Sequence, residues 1–203
     1  MCGRYFLGDS RELGVIAKEA EASPLSLRMK TALGKDLKTS GEVFPDDLVP
    51  AIALSRSGNR RVFPMAWGYR NERKLLINAR FETAGQKPTF REAWKNRRCI
   101  IPASYYFEWK RSESLKAKKT SQKYLIQPKG EENTWLCGLY RFEEELPHFV
   151  ILTREATPYL SIIHDRMPLI LASESINTWL NPRNDPRLAA QDALTDMYFE
   201  RTE

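Results

Sequence analysis

Cysteine at position 2, directly behind the initiator methionine, has the widest chemical reach of any residue in this chain. Removal of Met1 would leave a free α-amine and a thiol on adjacent carbons. A reference α-amine titrates near about 7.7–8.0 and is partly neutral at physiological pH, and a thiol of about 8.5 is readily lowered by nearby positive charge. Such a 1,2-aminothiol condenses with an aldehyde: the amine gives an imine, which the neighbouring thiolate closes into a five-membered thiazolidine. Alternatively, the same group is an N-terminal nucleophile that cleaves amides with its own amine as base. On Met1-Cys2 alone, a thiol that merely packs is the simpler explanation, since Cys is commonly buried.

Other polar residues lie in or beside apolar strands. Asn78 and Arg80 end the run Leu75-Leu76-Ile77-Asn78-Ala79-Arg80, followed by Phe81-Glu82-Thr83. Glu108 is wrapped in aromatics in Ser104-Tyr105-Tyr106-Phe107-Glu108-Trp109-Lys110. A carboxylate desolvated there is suited to proton transfer. His164, in Ile162-Ile163-His164-Asp165-Arg166-Met167-Pro168, has Asp165 beside it to orient an imidazole. Each has a plain alternative: a salt-bridged strand end for Glu108, a turn for Asn78, a helix cap or satisfied core group for His164. Trp67-Gly68-Tyr69, Phe90, Trp94, Tyr105, Tyr106 and Trp109 fall in a stretch rich in Arg and Lys. That mixture stacks unpaired bases while tracking phosphates, although aromatics in strands are usually core.

The chain that must position these groups has 203 residues, enough to bury a core without disulfides or metals. It is 42% hydrophobic and 29% charged, and no apolar run approaches the roughly 18 residues that cross a bilayer. The start carries no export-type apolar region, so a cytoplasmic or nucleoid location is expected. Cys2, Cys99 and Cys137 are odd in number and far apart, which argues for a reducing compartment. The two histidines, His148 and His164, have no closely spaced partner ligands, so neither metal nor cofactor is expected. Thirty-two Lys and Arg against 26 Asp and Glu give a net charge of +6, which favours a polyanionic partner. Residues 109–123 concentrate it, with Lys110, Arg111, Lys116, Lys118, Lys119 and Lys123 against Glu113 alone. A solvated, mobile hairpin loop is the bland account of that run.

Asp9-Ser10-Arg11-Glu12 reads as a helix cap, and Leu13, Ile16, Ala17 and Ala20 follow at helical spacing, predicting a helix to about Ala22, before Pro24. Short apolar runs at 48–54, 61–67, 74–79, 99–102, 105–109, 124–127, 135–140, 149–153 and 168–171 predict strands. Helical pieces are predicted at 89–95, 158–163 and 174–180, the last capped by Ser173. The expected class is α+β: one domain, 1–203, with a mixed, barrel-like curled sheet and flanking helices.

Taken together, the set resembles the SRAP family, the SOS-response-associated peptidase-like proteins. The matching pieces are Met1-Cys2-Gly3-Arg4-Tyr5, Trp67-Gly68, Ile77-Asn78-Ala79-Arg80-Phe81-Glu82-Thr83, Arg98-Cys99-Ile100-Ile101-Pro102-Ala103, Phe107-Glu108-Trp109-Lys110, Gly138-Leu139-Tyr140 and Ile163-His164-Asp165-Arg166-Met167-Pro168. They recur in family order up to about Asn181. The resemblance implies a monomer that loses Met1 and uses Cys2 to capture the aldehyde of an abasic site in single-stranded DNA, as a thiazolidine crosslink that shields the lesion. It implies that Asn78 positions the amine or sugar, that Glu108 shuttles protons in cyclisation and Met1 removal, and that His164 assists sugar opening and crosslink reversal. Arg4, Arg80 and Arg166 match phosphate-contacting positions, Trp67 a base-side or wedge position, and Trp109 a DNA-binding one.

Two departures stand out. Many family members have an Asn-Ala-Pro-type segment where this chain reads Glu42-Val43-Phe44-Pro45, so one DNA-facing loop is expected to differ. The family's usual C-terminal segment is shortened, which leaves either a barrel closed with fewer residues or an open edge. Two other functions fit the same residues: an N-terminal-nucleophile peptidase acting on other proteins through Cys2 and Glu108, and a non-catalytic single-strand binding module in which Cys2 is incidental.

Overall fold

The computed structural model describes residues 2–8, 10–72, 74–110 and 122–202. The middle of the basic run, with Arg111, Lys116, Lys118 and Lys119, lies outside the described residues.

Strand β1 (Arg4–Leu7) leads into α1 (Arg11–Glu21). Ser10 caps this helix by accepting the Leu13 amide at 3.2 Å, and the buried face is Leu13, Ile16, Ala17 and Ala20, as the spacing predicts. Pro24 starts a second helix, α2 (Pro24–Leu33), which the sequence reading lacks. At a first helical position the missing amide costs no hydrogen bond, so the same proline that stops α1 opens α2. Next come β2 (Gly41–Val43), β3 (Leu48–Leu54), β4 (Arg60–Trp67), the short pair β5 (Tyr69–Asn71) and β6 (Lys74–Leu76), and β7 (Asn78–Arg80). Helices α3 (Phe81–Ala84) and α4 (Pro88–Asn96) precede β8 (Arg98–Ala103), β9 (Tyr105–Lys110), β10 (Gln122–Pro128), β11 (Thr134–Glu143) and β12 (Leu146–Glu155). The chain ends through α5 (Pro158–Ser161), β13 (Arg166–Pro168), β14 (Ile170–Leu171), α6 (Ile176–Leu180), α7 (Pro186–Ala189) and β15 (Met197–Arg201). Ser173 opens a 3-10 turn ahead of α6 and makes no capping bond, contrary to the cap expected of it.

The class is α+β with a closed barrel, as expected. Strands β12, β4, β3, β8 and β11 pair in that order, and β11 pairs back to β12. Closure depends on one short parallel contact, His148 opposite Ala66 and Phe149 opposite Trp67. Because side chains alternate along a strand, Val49, Ala51, Cys99, Ile101 and Ile151 enter one core while Ile52, Ile100, Val150 and Leu152 enter another, with residues of α1, α4 and α6. A tight turn after β4 is made by Gly68, whose φ of 123° and whose contact with Leu75, 2.5 Å from where a Cβ would stand, leave no room for another residue.

A second, antiparallel sheet, ordered β15-β10-β9-β1-β2, lies against the first core. Its inner face contributes Tyr5, Tyr106, Ile126 and Met197 to that core. The barrel ring is complete among the described strands, and β15 forms an edge of the smaller sheet, paired with β10 from Tyr124 opposite Arg201 to Pro128 opposite Met197. Among the described residues no helix is long and apolar enough to cross a membrane.

Candidate active site

The site is built by strand alternation in β9. Arg4 stands opposite Phe107 and Tyr5 opposite Tyr106, so Tyr106 and Glu108 point inward toward the barrel while Phe107 and Trp109 point outward. Cys2, just ahead of β1, is fully buried on the inward side, with its thiol 3.9 Å from the Arg4 carbonyl. Glu108 is also buried, and its carboxylate accepts the Trp109 amide at 3.2 Å. Burial, with the Glu108 charge adding to it, pushes the Cys2 thiol up to about 12. This reverses the lowering that nearby positive charge would bring: at neutral pH the sulfur holds its proton, and it can attack only if a base takes that proton within the step. Burial likewise raises Tyr106 well above its ordinary value, and the charges of Cys2 and Glu108 both contribute.

Asn78 reaches the same place from β7, which is held parallel to β12 with Asn78 opposite Ile151. Its amide nitrogen donates to the Cys2 carbonyl at 2.7 Å, while its Oδ1 is buried with no partner among the described residues. One amide thus fixes the N-terminal backbone and keeps an acceptor in reserve beside it. Direct contacts or charge interactions tie Cys2, Asn78 and Glu108 into one group.

His164 follows α5 and precedes β13. Its Nδ1 accepts the Arg166 amide at 3.0 Å, which puts the neutral ring's proton on Nε2. Asp165 Oδ1 lies 2.8 Å from the same nitrogen. Arg166 itself is committed: it donates two bonds of 2.8 Å to Glu82 and one of 2.6 Å to the Thr153 carbonyl. Burial works against ionisation of Glu82, yet the Arg166 hydrogen bonds and charge hold its carboxyl below the usual range.

The remaining expected DNA contacts separate. Trp67 is fully buried, donates its indole N–H to the Ile77 carbonyl at 3.0 Å and stacks on Phe149, so it has no face to offer a base. In this position Trp67 braces the strand before Asn78 from the core. Arg80 is exposed and, among the described residues, has no acidic partner. Arg4 lies on the outward face between Phe44, 4.1 Å away, and Trp109, 5.1 Å away. Sequence reasoning missed Tyr106 and Glu82 as parts of the site, although Tyr106, two residues before Glu108 in a strand, shares its face by periodicity alone. Among the described residues no three of His, Cys, Asp and Glu gather as metal ligands would.

Comparison with known proteins gives a consistent answer. A family model described as SOS response associated peptidase (SRAP) matches residues 1–202. The abasic site processing protein YoaM of Bacillus subtilis is 35% identical over 161 residues, spanning 73% of this chain and 69% of that protein. The abasic site processing protein YedK of Escherichia coli is 29% identical over 205 residues, spanning 96% of this chain and 86% of that one. Among solved structures, a protein from Bacteroides thetaiotaomicron superposes with a TM-score of 0.74 at 24% identity, covering 100% of this chain and 92% of that chain, which speaks for the fold. Since the family model runs from the first residue almost to the last, the chain belongs to the SOS-response-associated peptidase family.

Proposed function

We propose that this protein processes abasic sites in DNA, capturing them in single strands as a covalent crosslink through Cys2. The observation that carries the reading is the grip of Asn78 on the Cys2 carbonyl at 2.7 Å, with Glu108 buried close enough to raise the thiol. An incidental cysteine has no need of either.

Hydrolysis of the Met1–Cys2 bond consumes one water, with Glu108 as base, and frees the α-amine; the peptidase activity in the family description is assigned to this self-processing. The acceptor of Asn78 then receives an N–H of that amine. His164 takes the C1 hydroxyl proton of the closed sugar and returns one to the ring oxygen, opening it to the aldehyde. The amine adds to the aldehyde carbon, and one water leaves to give the imine. Sγ adds to the same carbon while Glu108 relays the thiol proton to nitrogen, which closes the thiazolidine.

Arg4 and Arg80 serve as phosphate contacts and Trp109 as a stacking surface; Trp67 and Arg166 act as positioning residues. The protein works as a monomeric single domain without cofactor. Incubation with a single-stranded oligonucleotide carrying one abasic site, followed by denaturing electrophoresis, tests the reading. A heat-stable shifted band is expected from the parent, and its absence overturns the proposal.

A further inference from the structure

Two arginines expected to contact DNA meet carboxylates in very different ways. Arg166 is gripped by Glu82 through a two-pronged contact at 2.8 Å and 2.8 Å, with its side chain 10% exposed. Arg4 meets Glu42 through one nitrogen only, at 3.4 Å, with both side chains about 30% exposed. A guanidinium fork matched to its anion makes two short bonds. Arg4 and Glu42 are therefore a poor fit; the Nε atoms of Arg4 and Arg166 are both buried with no acceptor among the described residues, so the difference lies in the single long contact of Arg4.

Glu42 has a second cation. Lys123 donates to its other carboxylate oxygen, reaching across β9 and β1 with its ammonium 3.7 Å from the centre of the Phe107 ring. The register explains the reach: Lys123 stands opposite Trp109, Arg4 opposite Phe107 and Glu42 opposite Phe6, so all three side chains share the outward face. The cations do not depend on Glu42 for their placement. Arg4 lies between Phe44 and Trp109, and Lys123 lies over Phe107. Removing the carboxylate would leave two positive groups held in place by aromatic rings, beside unpaired stacking surface.

We propose that Glu42 is an internal stand-in for a backbone phosphate: it occupies an anion site made by Arg4 and Lys123, and single-stranded DNA must displace it to bind. The site deepens the reading given above and rests on it. Glu42 and Phe44 come from the segment in which this chain departs from its family's pattern, so the threshold would be a property of this protein. A phosphate with its additional oxygens satisfies donors that one carboxylate leaves unmet. The effect is selective: a polyanion that engages several cations at once displaces Glu42, and a lone anion does not.

The test uses an unmodified, fluorescently labelled oligothymidylate, so that no covalent step enters, with binding measured by anisotropy across a range of salt. Glu42→Gln should bind tighter, by up to about fivefold for each exposed ion pair released. The log–log salt slope should stay within about 0.7 of the parent's, the value of one phosphate contact, because DNA reaches the same two cations in both proteins. In a Lys123→Met background the gain should fall by at least half. Equal or weaker binding by Glu42→Gln, with an unchanged melting temperature, overturns the proposal. If Glu42→Gln does not fold, Lys123→Met alone decides: an unchanged salt slope there overturns the proposal as well. Crosslinking of the parent to an abasic oligonucleotide is scored separately, so loss of the Glu42 effect with crosslinking intact removes only this inference.

Discussion

The inward and outward faces of β1, β9 and β10 are made from the same short stretches of chain, one residue apart, and they are opposite chemical environments. Inward lie Tyr106 and Glu108 beside Cys2, buried and so poorly hydrated that the thiol rises to about 12. Outward lie Arg4, Trp109 and Lys123, part-exposed, with cations over rings and weak ion pairs. The pleat of a strand is enough to separate a chemical compartment from a binding compartment. Changes on the inward face should alter rates and leave affinity alone, and changes on the outward face should do the reverse.

The largest effect is expected at Cys2. Cys2→Ala should remove the heat-stable adduct while non-covalent affinity for single-stranded DNA stays within about twofold, because the thiol faces away from the phosphate contacts. Loss of binding in that variant would show that the two faces are not separable. Next in size, Glu108→Gln and His164→Ala should each slow single-turnover crosslinking by about 10²–10⁴-fold, the usual contribution of a positioned acid or base. Glu108→Gln should in addition retain Met1, visible by intact mass. Unchanged rates in both would reduce these residues to structural roles.

Trp67 sharpens the comparison from the other side. As a filled core position, Trp67→Ala should cost about 3–5 kcal/mol of stability, read from denaturant unfolding. A variant of parental stability with weakened DNA binding would return Trp67 to the surface role that the family pattern suggests. Arg80→Ala should have a smaller effect, lowering affinity a few-fold and the salt slope by about 0.7 with crosslinking chemistry intact once DNA is saturating.

What the sequence made legible was local. Short apolar runs located β3, β4, β9 and β12 within a residue or a few, and the motif segments named Cys2, Asn78 and Glu108, which the fold brings together. What escaped it was non-local. Whether Trp67 faces solvent or core depends on Phe149 and Ile77 arriving from elsewhere, and an aromatic beside basic residues reads the same either way. The commitment of Arg166 to Glu82, 84 positions away, could not be read from Arg166's own neighbourhood. Nor could the lowering expected for the thiol survive burial, which depends on strands that close over Cys2 only in the folded barrel.

The smallest expected effect lies outside both faces. Burial pushes His148 below its ordinary value of 6.5, against the opposing pull of Glu143 and the Gly68 carbonyl. As pH falls below about 6.5, the unfolded chain takes up a proton that the folded chain does not, so stability present above that pH is lost progressively down to the folded value. Melting temperature should therefore fall between about pH 7 and about pH 5, and His148→Gln should flatten that fall. A parent whose melting temperature rises over the same range would contradict this assignment.

The most direct test of the central claim is mass spectrometry of the N-terminal peptide after crosslinking to an abasic single strand and digestion of both polymers. The peptide should begin at Cys2, lack Met1 and carry the sugar remnant on Cys2 with the net loss of one water, stable without a reductant. An adduct on a peptide that retains Met1, or on a lysine elsewhere, would contradict the mechanism outright.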